Sequence, residues 1–136
     1  MSVGLLLITH NRIGDELLAT ATRMLGSCPL AAQALAVSEC DDPEQLRDEA
    51  LRCIDELDSG AGVLVLTDLF GSTPANIANG LRGRADVCIL SGVNLPMLVR
   101  VLNYPGLELE AIAEKALSGG HDGVFSCPGV GKAATH

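Results

Sequence analysis

The feature that most constrains this chain is a pair of short, unbroken apolar runs, residues 3–9 (VGLLLIT) and residues 62–67 (GVLVLT). Each is too short for a helix, and neither shows the apolar–polar alternation of a strand with one wet face. Continuous runs of this kind belong to strands covered on both sides, as in a parallel sheet between two layers of helices. Both stop abruptly in polar residues, the first at His10-Asn11-Arg12 and the second at Asp68-Leu69-Phe70-Gly71-Ser72-Thr73-Pro74.

The segments between and after these runs carry helical spacing. From Gly14, apolar residues fall at Leu17, Leu18, Ala21, Met24 and Leu25, with Asp15 and Glu16 in the first turn, where the helix dipole favours acids. Gly26 and Pro29 end that helix, and residues 34–37 read as a weaker strand. Asp42-Pro43 opens a second helix whose buried face is Leu46, Ala50, Ile54 and Leu57, and Ser59-Gly60 stops it. Residues 74–81 predict a short helix, 87–90 a strand, 94–102 and 107–117 two further helices, and 123–127 a short terminal strand. This alternation predicts an α/β fold, an open and mostly parallel sheet with helices on both faces. A chain of 136 residues suits one domain, placed here at residues 1–130 with a tail at 131–136.

Composition narrows the partners. With 2% aromatics and no Trp, the core must be built from Leu, Val, Ile and Ala. Nine basic against 17 acidic residues give a net charge of -8, which repels a polyphosphate backbone and so argues against a nucleic-acid partner, and suits a protein with a basic face. Nine of those 17 acids lie within residues 39–58, where they read as the solvated side of the second helix. Cys28, Cys40, Cys53, Cys88 and Cys127 are odd in number, widely spaced and form no CxxC pair. They read as thiols of a reducing compartment, not as a disulfide framework or a zinc site. No charged region precedes the N-terminal apolar run, which is too short to span a bilayer, so the expected location is the cytoplasm.

Ligands of open parallel sheets gather at the carboxyl ends of the strands. Two such ends carry reactive groups: the first strand delivers His10, and the strand at 62–67 delivers Asp68. If these strands are neighbours, the carboxylate can accept from one ring N–H of His10 and leave the other nitrogen's lone pair free to attack. Thr73-Pro74 reads as a helix N-cap followed by Pro in the first turn, and a helix start binds anions well. Gly71, Ser72 and Thr73 would thus form an anion-binding turn beside His10. Taken singly, a histidine at a strand end is ordinarily structural, Asp68 with Gly71 is an ordinary turn, and Ser72 and Thr73 are ordinary caps. Their convergence is what suggests phosphoryl transfer. His121, among Gly119, Gly120 and Gly123, reads as a loop residue, and His136 belongs to the tail.

Three stretches carry a family resemblance: LLLITHNRIGDELL around His10, VLVLTDLFGSTPANIA around Asp68, and LSGVNLPMLVRVL at residues 90–102. In order and spacing, over residues 3–127, the chain resembles the enzyme IIA component of the mannose branch of the bacterial sugar phosphotransferase system. The resemblance implies a protein-histidine phosphotransferase that takes a phosphoryl group from the carrier HPr onto Nε2 of His10 and passes it to a IIB component. It implies that Asp68 bonds Nδ1, that Thr73 helps hold the phosphoryl group, and that no metal or small cofactor takes part. It also implies a homodimer that exchanges the terminal strand near residues 123–127. The family turn commonly has a second glycine where this chain has Ser72, which would be strained if that position needs a positive φ.

Other readings use the same residues. A hydrolase built on Ser72, His10 and Asp68 lacks the G-x-S-x-G elbow. A receiver domain lacks an acidic pair after the first strand. The phosphoryl-donor subunit of a dihydroxyacetone kinase is disfavoured by the SGVNLPML stretch. A regulatory module whose phosphorylation state is its output shares every site residue with the transport reading.

Overall fold

The computed structural model describes residues 2–84 and 86–128. Along the chain run β1 (Gly4–His10), α1 (Ile13–Leu25), β2 (Ala32–Val37), α2 (Pro43–Leu57), β3 (Val63–Thr67), α3 (Thr73–Asn79), β4 (Val87–Ser91), α4 (Leu95–Leu102) and α5 (Leu109–Asp122). The four strands form one sheet in the order β2-β1-β3-β4, and every pairing is parallel.

The unbroken apolar runs are explained by the two faces of this sheet. In β1, Leu5 and Leu7 enter the core beneath α1, α4 and α5, whereas Leu6 and Ile8 enter the core beneath α2 and α3. In β3, Leu64 and Leu66 take the first side and Val63 and Val65 the second. All eight side chains are fully buried, and the polar residues Thr9 and Thr67 come only towards the carboxyl ends of the two strands, buried as well. Truncating one of the leucines to alanine would cost about 2–5 kcal/mol.

The second helix follows its pattern closely. Asp42 accepts from the backbone N–H of Glu44 at 3.2 Å, Pro43 occupies the first turn, and Leu46, Ala50, Ile54 and Leu57 are buried as expected, joined by Cys53. Burial pushes the Cys53 thiol up, with the nearby Glu56 charge acting in the same direction. Glu44, Glu49, Asp55 and Glu56 lie exposed on the other side. All five cysteines are free.

Three expectations need correction. β2 starts at Ala32, two residues before the predicted strand. α5 does not stop at Leu117 but runs through Gly119 and Gly120 to Asp122. The glycines permit close approach to α4: a Cβ at Gly119 would meet Arg100 Cβ at 2.5 Å, and one at Gly120 would meet Met97 Cε at 2.9 Å. They pack a helix instead of breaking one, and His121 therefore sits in its last turn, not in a loop. The predicted strand at 123–127 is absent: Gly123 is the C-cap of α5 and residues 124–128 have no regular structure. A strand needs a neighbour's backbone, and among the described residues nothing pairs with the outer edge of β4. The predicted tail at 131–136 lies outside the described residues. No helix among the described residues is long and apolar enough to cross a membrane.

Candidate functional site

β1 and β3 lie side by side at the centre of the sheet, in register from Gly4 opposite Val63 to Ile8 opposite Thr67. That register carries His10 and Asp68 off the same edge, although 58 positions separate them. Asp68 Oδ2 accepts the backbone N–H of His10 at 3.0 Å and lies 2.9 Å from its Nδ1. An ionised carboxylate can only accept, so this contact suits the tautomer with its proton on Nδ1, which leaves the Nε2 lone pair free. The Asp68 side chain is 12% exposed and that of His10 41%, so the orienting group is sheltered while the ring reaches solvent. Oδ1 of Asp68 is buried and has no donor among the described residues, so the grip on His10 comes through one oxygen.

The loop after His10 turns sharply. Asn11 has φ 47, a left-handed conformation that Asn tolerates better than most residues, and its N–H donates to Val37 O at 2.8 Å. The loop after Asp68 turns at Gly71, φ 78, in the region that favours glycine. Ser72 has φ -90 and ψ 174, ordinary extended backbone, so the strain expected for it is absent.

The helix start is displaced by one residue from the predicted one. Ser72 is the N-cap of α3, because its carbonyl accepts the first helical bond from Asn76 N at 2.9 Å, and Thr73 is already helical. Ser72 makes no side-chain cap bond; its Oγ donates instead to Leu69 O at 2.6 Å. Thr73, freed of the capping role, is exposed and lines the same cleft as His10, a space of about 540 Å³. Gly71 and Ser72 shape the turn but do not line that cleft. Its far wall comes from the connection between β2 and α2, including Glu39 and Asp41, two acids that helical spacing had assigned no part in the site. Leu69 and Phe70, 61% and 85% exposed, stand out from the Asp68 turn.

These features define a parallel α/β domain with a carboxylate-held histidine on the carboxyl rim of its sheet. The family described as PTS system fructose IIA component matches residues 4–117. This chain belongs to that family. The PTS system mannose-specific EIIAB component of Escherichia coli (strain K12) is 30% identical over 103 residues, covering 75% of this chain and 32% of that relative. The transcriptional regulatory protein LevR of Bacillus subtilis (strain 168) is 34% identical over 118 residues, covering 81% of this chain and 12% of that relative. The chain thus spans a third or less of the length of these curated relatives. A mannose/sorbose-specific IIA subunit from Enterococcus faecalis has the same fold, with a TM-score of 0.85 at 24% identity, covering 98% of this chain and all of that one.

Proposed function

We propose that His10 is a phosphoryl carrier, accepting the group from the phosphohistidine of HPr and handing it to a histidine of a IIB component in the cytoplasm. The observation that carries this reading is the 2.9 Å contact between Nδ1 of a solvent-reaching His10 and Oδ2 of a sheltered Asp68. Nε2 attacks phosphorus as the bond to the donor's nitrogen breaks. The Nδ1 proton stays in place, and Asp68 offsets the positive charge that develops on the ring. Such a transfer leaves the protein little to do beyond positioning and stabilising charge on the equatorial oxygens. Thr73 supplies a hydroxyl donor for this, and the first turn of α3 supplies backbone N–H groups without helical acceptors. Gly71 and Ser72 set the turn that places them. No cofactor or metal enters the step. The working unit is a homodimer in which residues 123–127, irregular within a single chain, become a strand only on exchange into the other chain.

A second reading has one specific observation in its favour, the likeness to a relative named as a transcriptional regulatory protein. In that case the same phosphorylation of His10 is the output, and no sugar is transported.

Incubation with phosphoenolpyruvate, enzyme I and HPr should add one acid-labile, base-stable phosphoryl group. His10→Ala should abolish it with the fold intact. Label persisting in that variant, at His121 or a serine, would overturn the assignment. Discharge of the label by an added IIB component favours transport, and a label that no IIB component discharges favours regulation.

A further inference from the structure

We infer that Thr9 is a positioning residue for His10, its buried hydroxyl fixing the loop that presents the ring; the kinetic side of this inference rests on His10 being the phosphoryl acceptor. Thr9 is the one polar residue among the first six of β1, and it is 0% exposed. A buried hydroxyl is costly unless it is bonded. Thr9 Oγ1 accepts the N–H of Gly14 at 2.8 Å.

Gly14 lies in the first turn of α1, where amides have no helical acceptor. The N-cap residue of α1, Arg12, provides no side-chain cap bond. Thr9 thus does from the strand what a capping side chain would do from the loop. The consequence is a clamp: the segment from His10 to Ile13 is held at both ends by one hydrogen bond, with Asn11 in a left-handed conformation between them. The fit is close, since a Cβ on Gly14 would come within 3.0 Å of Thr9 Oγ1 and 3.2 Å of Leu7 Cβ.

Removing the hydroxyl leaves the buried Gly14 amide without an acceptor. The start of α1 must then shift to find one, and it carries the histidine loop with it. A displacement of about 1 Å at a reacting group can cost ~10²-fold in rate. The ring would no longer be held at hydrogen-bond distance from Asp68, and its Nδ1–H tautomer would lose its enforcement.

Two substitutions separate positioning from packing. Thr9→Val keeps the shape and removes the acceptor. Thr9→Ser keeps the acceptor and removes a buried methyl. Transfer from phosphorylated HPr should slow ~10- to 10²-fold in Thr9→Val, and ¹⁵N spectra of His10 should show mixed tautomers. Thr9→Ser should melt at a lower temperature yet transfer within a few-fold of wild type and keep the Nδ1–H form. If Thr9→Val does not fold, Thr9→Ala set against Thr9→Ser makes the same comparison, since both lose the methyl and only serine keeps the oxygen. A wild-type rate and tautomer in Thr9→Val would overturn the inference, as would losses in both variants that follow melting temperature alone. If wild type itself takes no phosphoryl group, the carrier reading fails, and the tautomer spectra still decide the role of Thr9.

Discussion

The two loops that meet at the site are built in opposite ways. The β1–α1 loop is tied to its surroundings on three sides: to α1 through Thr9 Oγ1 and Gly14 N, to β2 through Asn11 N and Val37 O, and to β3 through His10 N and Asp68 Oδ2. The β3–α3 loop sends Asp68 inward, but beyond it the turn is bonded mainly to itself, Ser72 to Leu69 through both N–H and Oγ. Leu69 and Phe70 are left projecting into solvent. The difference teaches a division of labour. In the proposed transfer the His10 ring needs a fixed aim, and its loop is fixed. The accessory loop offers apolar surface at the rim of the site, the kind of patch that marks contact with another protein.

The strongest test of this comparison is Asp68→Asn, which keeps the shape of the one link between the loops but removes its charge. The amide can turn its NH₂ toward the ring and no longer offsets ring charge. Transfer measured by rapid quench should slow ~10²-fold or more, by analogy with tautomer loss in a hydrolase triad. A wild-type rate in a folded protein would reduce Asp68 to a turn residue.

Next in size is the contrast between the adjacent hydroxyls. Thr73→Val removes the donor facing the His10 cleft, and one such donor can be worth ~10²-fold in rate. Because Ser72 is the N-cap, the denaturation midpoint of Thr73→Val should stay near that of wild type. Ser72→Gly loses only the bond to Leu69 O and should transfer within a few-fold of wild type. If the serine variant is the crippled one, the anion site is displaced by a residue.

A smaller effect is expected at Phe70. Phe70→Ala should raise the apparent KM for phosphorylated HPr by ~10-fold, the loss typical of a contact residue of moderate weight, with kcat and stability little changed. An unchanged KM would leave the projecting loop without its assigned role.

The smallest effect is expected far from the rim. Arg84 donates twice to Asp55, at 2.7 and 3.1 Å, and this hydrogen bonding holds the Asp55 carboxyl below its usual range. The stabilisation is therefore present above the unfolded value near 3.8 and is lost as pH falls through the lower folded value. The pair is exposed, so Arg84→Gln should barely move the melting temperature at pH 7 and leave transfer unchanged.

Much of this was legible in the chain because burial writes directly into composition. The runs at 3–9 and 62–67 read as doubly covered strands since β1 and β3 are the two central strands, and their polar ends named His10 and Asp68. What stayed hidden depends on backbone detail or on contacts distant in sequence. Gly119 and Gly120 look like a helix stop, yet they serve the packing of α5 on α4, which spacing alone does not reveal. The N-cap fell on Ser72 because the chain turns at Gly71, one step earlier than the Thr-Pro pair suggested. Glu39 and Asp41 join the site only through the course of the β2–α2 connection. A strand at 123–127 cannot form without a neighbour to pair with. Thr9 had a signal, a hydroxyl at the end of an aliphatic run, whose meaning needed the position of Gly14.

The central claim is that Asp68 occupies Nδ1 of His10 and leaves Nε2 as the nucleophile. The most direct test is ³¹P and ¹⁵N NMR of the protein phosphorylated through HPr. The phosphoryl group should be bonded to Nε2 of His10, with Nδ1 still protonated. Phosphorus bonded to Nδ1, or to any residue other than His10, would contradict the account.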